Sequence, residues 1–309
     1  MAAVVMNRAT FPKGLQEGLN TWFGITYDKY QPQWPDLYET NKTKKAWEED
    51  VMAYGLGLAG VKEEGAPITY SSGGEAWNKI YRIQTVALAF AITQEALEDH
   101  LYGDLGREFS MALADSFNAF KEVKAMEPIN NATVGTAGSP GRGGDGVSLL
   151  NASHPLAYGG TYSNTLSTPA DLTEAALEDA YTLISAFTSE QGQPMFVQSE
   201  TLFVHPSKIP DAIRITETPN RPGTADNDIN AIRQMGLLPK GVKQLHYMTD
   251  TDMWLIKTNV RKGGRYFERV ALKTSMEGDF ETDNVRYKGR ERYCFSFTNP
   301  RWLVGSVGA

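Results

Sequence analysis

Large apolar residues alternate with alanines near the end of the first third of the chain. The alternating set is Val86, Leu88, Phe90 and Ile92, and a period of two is typical of a β-strand with one buried face. A turn signal, SSGG, precedes this segment, so we predict one limb of a β-hairpin over 77–92. Fully extended, this limb would span roughly 50 Å at ~3.3 Å per residue. A hairpin of this length outruns the core of a single domain, and we expect it to contact a second chain.

The next segment has the pattern of a long helix. Thr93 is a suitable N-cap residue, and Pro128 lies near the predicted end. The large apolar residues recur at a spacing of four that slips to three once: Leu97, Leu101, Leu105, Phe109, Leu113, Phe117 and Phe120. Because a helix has ~3.6 residues per turn, this stripe advances by ~40° at each step and winds around the helix. Different parts of the helix therefore contact different neighbours, or Gly103 and Gly106 divide it in two. His100 is expected to be a surface or packing residue.

Helical and strand patterns alternate over 168–260. DLTEAALEDAYTLISAF follows a helix-start signal and has the apolar period of an amphipathic helix. A strand then ends at His205 and Pro206, before a second short helix, and strand-like pieces recur at KQLHYMT and MWLIKTN. This order predicts an α/β arrangement. His205 and His246 have no second His or Cys close by in the sequence, so we expect structural roles rather than metal binding.

The C-terminal part of the chain alternates with a period of two. In NVRYKGRERYCFSF one set of positions is apolar or aromatic and the other is cationic. The first set is Val285, Tyr287, Tyr293, Phe295 and Phe297, and the second is Arg286, Lys288, Arg290 and Arg292. We therefore predict a strand with one buried and one open face. The open, cationic face is either solvated, or it contacts another subunit or a polyanion.

Residues 1–47 are dense in aromatic side chains but show no sustained period. They include Trp22 and Trp34, and Pro32 and Pro35 interrupt the segment. Aromatic side chains at this density require burial, whereas the prolines argue against a long regular element. We therefore predict an extended arm that lies along another surface.

Composition and charge narrow the function classes. The chain has 309 residues, 41% of them hydrophobic and 22% charged, with a formal net charge of −7. These values are typical of a folded protein and disfavour sequence-specific nucleic-acid binding. The one cysteine, Cys294, excludes an internal disulfide and a multi-cysteine metal site, and we expect a buried, inert thiol. Without a signal-peptide pattern or an apolar run of transmembrane length, we expect a soluble protein that assembles in a reducing cytoplasm.

Motifs for cofactors and metals are incomplete. Gly141, Gly143 and Gly146 match G-x-G-x-x-G, but Pro155 follows soon after and forbids the helix that a dinucleotide site needs. DNDINA, residues 226–231, begins like a calcium loop, yet it lacks the turning glycine and the bidentate glutamate. We predict no cofactor, no metal site and no catalytic residue.

The segment LLNASHPLAYGGTYSN, residues 149–164, puts His154 among small polar residues. Serine, threonine and asparagine side chains can bond backbone groups in a tight connection, and Pro155 fixes the chain direction. We therefore predict an architectural role for His154. The alternative is an α/β enzyme with a site around His154, Asp145 and Ser153, for which the sequence holds no complete motif.

The order of these segments resembles the major capsid proteins of tailed bacteriophages, which have the Hong Kong 97-type fold, and in particular the Mu-like major head subunits. The resemblance rests on LLNASHPLAYGGTYSN, on LFVHPSKIPDAIRI and on the C-terminal pattern RYxFxFxNPRWLVGS. It covers almost the entire chain in order and element type, and it implies an α+β fold. The implied parts are an N-terminal arm at 1–47, an extended β-hairpin loop at 48–92, a peripheral domain with a long spine helix at 93–167 and 261–298, an α/β axial domain at 168–260, and a C-terminal tail at 299–309.

The resemblance also implies a structural, non-enzymatic protein of the virion. Such a subunit self-assembles into pentamers and hexamers of an icosahedral head that encloses double-stranded DNA, and it assembles in the host cytoplasm. The implied partners are further copies of itself, a scaffolding protein, the portal, decoration or head-completion proteins and, without sequence specificity, the packaged DNA; no membrane is involved. A bacterial nanocompartment shell of the same fold is an alternative that the sequence separates poorly from a capsid.

We expect intersubunit contacts on the arm, the hairpin and the cationic strand. The candidates are Trp22, Trp34, Glu63, Glu64, Trp77, Ile80, Tyr81, Arg286, Lys288, Arg290 and Arg292. Glu63 and Glu64 are expected to meet Arg or Lys of a neighbour. Some members of the resembled family cross-link neighbours through a Lys and an Asn activated by a buried Glu. No motif identifies such a trio here, although Lys62 and Lys79 lie on the predicted loop, so we predict non-covalent assembly.

Overall fold

The computed structural model describes residues 12–93, 103–220, 229–278 and 284–309. The helices in these ranges are α1 (Pro12–Lys29), α2 (Trp34–Leu37), α3 (Gly103–Asn130), α4 (Glu174–Ser185), α5 (Ile209–Glu217) and α6 (Ala231–Gln234), with short 3-10 helices at Pro206–Lys208 and Pro300–Trp302. The strands are β1 (Glu39–Lys42), β2 (Trp47–Tyr54), β3 (Gly74–Arg82), β4 (Gln84–Ile92), β5 (His154–Pro155), β6 (Thr161–Tyr162), β7 (Ser199–Val204), β8 (Val242–Gln244), β9 (Trp254–Thr258), β10 (Gly264–Gly278), β11 (Val285–Phe297) and β12 (Leu303–Ser306). The predicted α+β class is confirmed.

The first sheet has the strand order β1-β10-β11-β4. β1 runs parallel to β10, whereas β10, β11 and β4 are antiparallel neighbours. α1 and α3 pack on one face of this sheet through a buried cluster of Leu19, Phe23, Leu113, Phe117 and Tyr287. α3 approaches the sheet closely because position 289 of β11 is a glycine. A Cβ atom at Gly289 would lie 2.6 Å from the ring of Phe117.

The second sheet has the order β12-β9-β7-β8. On one side, Leu177 of α4 shares a core with Val204 of β7 and Trp254 of β9. On the other side, Phe203 shares a core with Met126 of α3. Because the side chains of a strand alternate between its faces, β7 contributes to both cores and connects the second sheet to α3.

β2 and β3 form the predicted hairpin, but its second strand ends at Arg82, whereas the sequence indicates a strand that continues to residue 92. Its register begins with the pair Trp47 and Arg82 and leads to the connecting residues 55–73. The single strand predicted over 77–92 is wrong, because the chain changes partners at Ile83. β3 pairs with β2, whereas β4 pairs with β11 in the first sheet. Periodicity does not reveal this change, since both halves alternate with the same period against different partners.

The prediction of an extended arm is wrong for residues 12–29, which form α1. Leu19 and Phe23 lie four residues apart and are buried in the cluster with α3 and the first sheet. The two prolines do not break this helix because they lie beyond its end. Pro32 lies between α1 and α2, and Pro35 lies in the first turn of α2, where a missing backbone N–H costs nothing.

The winding stripe is confirmed in the part of α3 that the structure describes. Leu113 and Phe117 are buried, whereas Phe109 is 46% exposed and Phe120 is 40% exposed. Pro128 lies inside the helix near its end. The predicted positions Leu97, His100 and Leu101 lie outside the described residues.

The predicted C-terminal tail belongs in part to the second sheet. β12 is antiparallel to β9, with Leu303 opposite Lys257 and Ser306 opposite Trp254, and all four of its residues are buried. A four-residue strand is too short to show a period, which explains why the sequence does not reveal it.

Candidate assembly surfaces and a buried joint

A group of buried polar residues, here called the buried joint, holds the segment 149–164 in place. Nδ1 of His154 lies 2.6 Å from Oδ2 of Asp145, and both side chains are fully buried. Nε2 of His154 lies 3.1 Å from Oδ1 of Asn164. Both ring nitrogens are therefore engaged, and neither is available to Ser153, which is exposed. This geometry supports an architectural role for His154.

Asn164 connects the buried joint to the C-terminal segment. Its side-chain Nδ2 lies 2.6, 3.0 and 3.1 Å from the carbonyl oxygens of Leu149, Pro300 and Leu303, so its two N–H groups are shared among three acceptors. Asn164 is completely buried. A buried carbonyl without a donor costs about 1–3 kcal/mol, so a single side chain stabilises three backbone groups.

This orientation of Asn164 also sets the hydrogen positions on His154. Since Nδ2 of Asn164 faces acceptors, its Oδ1 faces donors, and it accepts from the backbone N–H of Asn151 at 2.9 Å. Nε2 of His154 is therefore the other donor to Oδ1. The other ring nitrogen, Nδ1, lies 2.6 Å from Oδ2 of Asp145. Both ring nitrogens of His154 are thus engaged by buried partners, as in a structural network rather than an acid–base site.

A second buried ion pair lies beside the joint. Nη1 of Arg301 lies 2.6 Å from Oε1 of Glu190, and both side chains are almost completely buried. The guanidinium carbon of Arg301 lies 3.8 Å from the ring centre of Tyr162, and the ring of His154 stacks on Tyr162 at 5.0 Å. Burial raises the pKa of Tyr162 above its ordinary value, although the charge of Arg301 lowers it. The Tyr162 ring thus contacts both the joint and the ion pair.

The glycine-rich motif has a packing role. A Cβ atom at Gly144 would lie 2.8 Å from the backbone oxygen of Asn78 in β3, and one at Gly141 would overlap the backbone of Asn131. Only residues without side chains allow the loop to approach the hairpin and the end of α3 so closely. The next helix in the chain is α4, far beyond the motif, so the arrangement lacks the helix N-terminus of a dinucleotide site.

The structure supports the predicted structural roles of the remaining candidate residues. His205 accepts a hydrogen bond from the backbone N–H of Ser207 at 3.2 Å and caps the following 3-10 helix. Burial raises the pKa of the Cys294 thiol to about 12, which makes it unreactive near neutral pH.

Among the described residues no group of three His, Cys, Asp or Glu side chains could hold a metal ion, and residues 226–228 of the calcium-like stretch lie outside the described ranges. The described helices include none that is long and apolar enough to span a membrane.

Residues 55–73, here called the hairpin loop, expose a large apolar surface. Its exposed apolar side chains are Leu56, Leu58, Val61, Ile68 and Tyr70, with exposed fractions from 64% for Leu56 to complete exposure for Val61. Glu63 and Glu64 are exposed between them. Where the loop begins, the side-chain amide of Gln191 donates a hydrogen bond to the carbonyl oxygen of Gly55. The loop is therefore anchored at its start and open beyond it.

Asp50 attaches the hairpin to the first sheet. Its carboxylate lies 3.1 Å from Nζ of Lys262 and 3.0 Å from Nη1 of Arg265. The hydroxyl of Thr298 donates a hydrogen bond to the same carboxylate at 2.7 Å. Asp50 is 8% exposed, so these charge-assisted contacts lie largely out of water, where they are stronger than at the surface.

Glu122 attaches α2 to α3 from within the core. Its Oε1 accepts a hydrogen bond from the backbone N–H of Gln33 at 2.6 Å. Its Oε2 is buried without a hydrogen-bond partner among the described residues. Burial raises the pKa of Glu122 above its ordinary value, although the N–H groups of Gln33 and Trp34 lower it. The carboxyl is therefore less easily ionised in the folded chain.

The predicted contact residues of the arm and hairpin differ in accessibility. Trp22 is 37% exposed and lies 4.1 Å from the guanidinium of Arg107, and Ile80 is 47% exposed. The prediction is wrong for Tyr81, which is 1% exposed and whose hydroxyl is hydrogen-bonded to Thr298. Because strand side chains alternate, Ile80 faces outward whereas Tyr81 faces the core.

The two remaining tryptophans on the contact list are engaged within the chain. The ring of Trp34 lies 4.5 Å from that of Tyr266 and 5.6 Å from that of Phe295. A Cβ atom at Gly144 would lie 2.9 Å from the ring of Trp77. The Nε1 atom of Trp77 is buried and has no hydrogen-bond partner among the described residues. The contacts of Trp34 and Trp77 in the structure are therefore intramolecular.

The predicted alternation along β11 is confirmed. Its inward-facing residues include the buried side chains of Tyr287, Tyr293 and Phe297. The cations alternate with them: Arg286, Lys288 and Arg290 are exposed and Arg292 is partly exposed. The first sheet thus has one face covered by α1 and α3 and one face that presents positive charge.

Comparison with known proteins agrees with this architecture. A family model described as phage capsid protein matches residues 77–306, whereas no curated protein matches the chain. The capsid of the empty GTA particle is 11% identical, with a TM-score of 0.52 over 90% of this chain and 89% of its own. The capsid of cyanophage P-SCSP1u is 11% identical, with a TM-score of 0.52 over 90% and 88%. The virus-like particle of Pyrococcus furiosus is 11% identical, with a TM-score of 0.50 over 94% and 98%.

The matched family region includes α3, three of the four strands of the first sheet, the whole second sheet and the buried joint, whereas β1 lies outside it. At 11% identity the solved structures establish the fold alone, and this is the Hong Kong 97-type fold of phage capsids. The enzyme alternative around His154, Asp145 and Ser153 is wrong, because the family is structural and both ring nitrogens of the histidine are used inside the fold. The chain belongs to the phage capsid protein family, and it is a non-enzymatic major capsid subunit of the virion shell.

Proposed function

We propose that this subunit assembles without covalent cross-links into the pentamers and hexamers of an icosahedral head, with the hairpin loop as its principal intersubunit contact. The observation that carries the proposal is the exposure of Leu58, Ile68 and Tyr70, at 81%, 67% and 94%. Several large apolar side chains exposed on one loop are typical of an interface rather than of a free monomer. Head-to-tail contacts that repeat around a ring close it, and many weak contacts together give a stable shell.

The proposed domains correspond to the two sheets. The first sheet with α3 corresponds to the peripheral domain, and the second sheet with α4, α5 and α6 corresponds to the axial domain. Separate apolar clusters around Phe117 and around Trp254 support this division. We assign residues 1–47 to the arm and β2, β3 and the hairpin loop to the extended loop, with β4 added to the first sheet and β12 to the second.

The proposed partners beyond further copies of the chain follow from family membership. They are a scaffolding protein, the portal, decoration or head-completion proteins and packaged double-stranded DNA. Membership of the Mu-like branch and assembly in the host cytoplasm are proposals of the same kind.

Non-covalent assembly is supported by Lys79, which donates a hydrogen bond to the carbonyl oxygen of Arg142 inside its own chain. Subunits that migrate as single bands on denaturing gels would agree with it.

Electron microscopy and light scattering of the purified full chain test the proposal. We expect closed shells or five- and six-fold rings from the unaltered protein and small particles from Leu58→Ser/Ile68→Ser/Tyr70→Ser. Phe196→Ser is the matched control, because Phe196 is 85% exposed but lies outside the hairpin loop. Circular dichroism would show that all variants fold. A small oligomer from the unaltered protein at every salt concentration, or normal shells from the triple variant, would contradict the proposal.

A nanocompartment shell without a phage genome is a second candidate. The observation in its favour is the common fold with the virus-like particle of Pyrococcus furiosus, which covers 94% of this chain. The two candidates differ in content, and nucleic acid extracted from shells made during infection distinguishes them. Shells filled with long double-stranded DNA would agree with the capsid, whereas shells filled with a cargo protein would agree with the nanocompartment.

A further inference from the structure

Two glutamine side chains hold the start of the hairpin loop against the segment that follows α4. Nε2 of Gln191 donates a hydrogen bond to the carbonyl oxygen of Gly55, and Nε2 of Gln193 donates one to the carbonyl oxygen of Leu56 at 3.4 Å. The two acceptors are consecutive along the hairpin loop. We call Gln191 and Gln193 the glutamine clasp. It connects the hairpin loop of the chain to the segment that leads into β7 of the second sheet.

The turn that carries the glutamine clasp is fixed by its own contacts. The backbone N–H groups of both glutamines donate hydrogen bonds to the hydroxyl of Ser189, at 3.3 and 3.2 Å. The backbone N–H of Ser189 donates to the carbonyl oxygen of Gln193 at 2.7 Å, and Gly192 between the glutamines has a φ of 76°, which glycine adopts without steric cost. Glu190 in the same turn forms the buried ion pair with Arg301. The clasp therefore projects from a turn that buried contacts hold in place.

Further contacts surround the chain at the same point. The backbone N–H of Gly57 donates a hydrogen bond to the hydroxyl of Ser71 at 2.9 Å, which joins the two limbs of the hairpin loop. The ring of Tyr54 meets the ring of Tyr158 edge-on, with 5.7 Å between their centres. A Cβ atom at Gly57 would lie 3.4 Å from Oγ of Ser71 and 3.7 Å from a side-chain oxygen of the clasp. Among the described residues, 58–70 form no hydrogen bond outside the hairpin loop, so its direction depends on these contacts at its base.

The base of a projecting segment determines where its far end lies. Residues 57–65, which lead to the turn at Gly65, span roughly 26 Å when extended at ~3.3 Å per residue. A rotation of about 10° at the base then moves this turn by roughly 5 Å. Apolar side chains are in contact only when their atoms approach within about 4–4.5 Å. The exposed side chains of the hairpin loop therefore meet a neighbour reproducibly only when the base keeps its direction.

We propose that the glutamine clasp positions the hairpin loop before assembly, which makes Gln191 and Gln193 positioning residues for shell formation. The inference rests on the proposed function and adds the device that presents the loop. Ordering a loop at an interface costs binding free energy, and a loop that is already held avoids this cost. Because Glu190 lies between the two glutamines and pairs with Arg301, the clasp also links the direction of the loop to the buried core of its own chain.

Substitution that removes only the amide donors tests the inference. Gln191→Met/Gln193→Met keeps the length of both side chains and adds no charge. Spin labels at Val61→Cys and Asp179→Cys, which are both exposed, report the distance between the hairpin loop and α4 by double electron–electron resonance. The measurement uses the unassembled full-length subunit in a Cys294→Ala background. We expect the distance distribution to broaden about two-fold in the clasp variant, because the base of the loop then opens locally.

Assembly gives the second readout. The lowest protein concentration that yields shells, measured by light scattering and electron microscopy, should rise about five-fold or more in Gln191→Met/Gln193→Met. The reason is that the loss of two hydrogen bonds leaves the loop to be ordered during association. Circular dichroism shows that the variant folds. Gln191→Met alone is the second variant if the double substitution impairs folding, and we expect a change in the same direction for both readouts.

Two comparisons separate positioning from a general effect of substitution. Gln191→Lys/Gln193→Lys keeps a nitrogen donor of similar reach on each side chain, and we expect it to retain the narrow distance distribution and normal assembly. Gln198→Met makes the same chemical change at an exposed glutamine outside the clasp, and we expect it to behave like the unaltered protein. An equal defect in the methionine and lysine variants, or in Gln198→Met, would show that the hydrogen bonds of the clasp are not responsible.

The outcomes distinguish this inference from the proposed function. A broader distance distribution together with a higher assembly concentration, both absent from the lysine variant, would support positioning by the clasp. An unchanged distribution, or normal assembly despite a broader one, would overturn the inference and leave the capsid function intact. Failure of the unaltered protein to assemble would refute both proposals.

Discussion

The side-chain amide nitrogen of Asn164 lies 3.0 Å from the carbonyl oxygen of Pro300, although 136 residues separate the two in the sequence. The same nitrogen donates a hydrogen bond to the carbonyl oxygen of Leu149 at 2.6 Å. One amide group thereby joins the connection after α3 to the start of the last strand. Because these backbone groups are buried away from water, the local fold depends on a hydrogen-bond donor at this position.

Asn164→Asp should strongly destabilise the subunit. The substitution replaces the donor with a carboxylate oxygen that faces three carbonyl oxygens in a water-free site. We expect the free energy of unfolding of the unassembled subunit to fall by roughly 3–5 kcal/mol in urea titrations, because the buried carbonyl oxygens lose their donor and face a buried negative charge. Asn259→Asp is the matched control: Asn259 is exposed and only its Oδ1 is used, as acceptor from the N–H of Gln198. The control should change stability by less than about 0.5 kcal/mol, and equal effects at the two positions would contradict the role of Asn164.

The buried pair of Arg301 and Glu190 should behave as a coupled unit. Arg301→Met leaves the carboxylate of Glu190 buried without its partner, and Glu190→Gln leaves the guanidinium in the same condition. Each single variant should lose roughly 3–5 kcal/mol of unfolding free energy. The double variant should lose clearly less than the sum, since neither charge remains. Urea unfolding of the four proteins gives the coupling energy, and simple additivity would show that the two charges do not stabilise each other.

The outward face of β11 and the order of elements could be predicted from the sequence, because a period of two survives in any half-buried strand. The alternation of Tyr287 and Tyr293 with Lys288 and Arg290 is confirmed by their burial. The same argument fails at Ile83, where the strand changes partners without a change of period. Periodicity reports which face is buried, and it carries no information about the partner strand.

The buried polar contacts could not be predicted from sequence patterns for a different reason, which is the large separation of the partners along the chain. Asp50 and Thr298 are 248 residues apart, and Arg301 and Glu190 are 111 residues apart. No local spacing indicates that either pair meets. The only signal for Asp50 is its position in WEEDVMAY, where an acidic residue occupies the side of β2 that is buried. The sequence does not predict α1, because Pro32 and Pro35 indicate a break in regular structure, although both prolines lie beyond the end of the helix.

The pH dependence of stability should report on Glu122. Burial raises the pKa of Glu122, so the folded chain retains a proton on this carboxyl at pH values where the unfolded chain, with an ordinary pKa of about 4.3, has lost it. The stability that this group contributes is fully present below the unfolded pKa and is lost as the pH rises through the folded pKa. Glu122→Gln removes the titration and keeps an oxygen for the N–H of Gln33.

The expected result is a difference that grows with pH. The unfolding free energy of Glu122→Gln minus that of the unaltered protein should increase as the pH rises from the unfolded pKa of about 4.3 through the raised pKa of the folded chain, because the variant has no carboxylate to desolvate. Other buried carboxyls, such as Glu291, are present in both proteins and cancel in the difference. Chemical unfolding at a series of pH values measures it. A difference that is constant or that falls as the pH rises would show that Glu122 is not the group responsible.

Asp50→Asn should loosen the hairpin while the rest of the subunit stays folded. The amide keeps an acceptor for Thr298 but removes the negative charge that faces Lys262 and Arg265. We expect a loss of about 1–3 kcal/mol in unfolding free energy and faster hydrogen exchange in β2 and β3, with unchanged exchange in α3. Glu49→Gln is the control, because Glu49 is exposed on the opposite face of the same strand.

The consequence for assembly follows from the position of the hairpin loop. A hairpin that samples many orientations must be ordered before its loop can contact a neighbour, and this ordering costs binding free energy. The yield of shells from Asp50→Asn should therefore fall at protein concentrations where the Glu49→Gln control assembles normally. Light scattering measures this yield alongside the hydrogen exchange. Faster exchange in α3 as well as in β2 and β3 would indicate general destabilisation, and the separate role of Asp50 in orienting the hairpin would then be wrong.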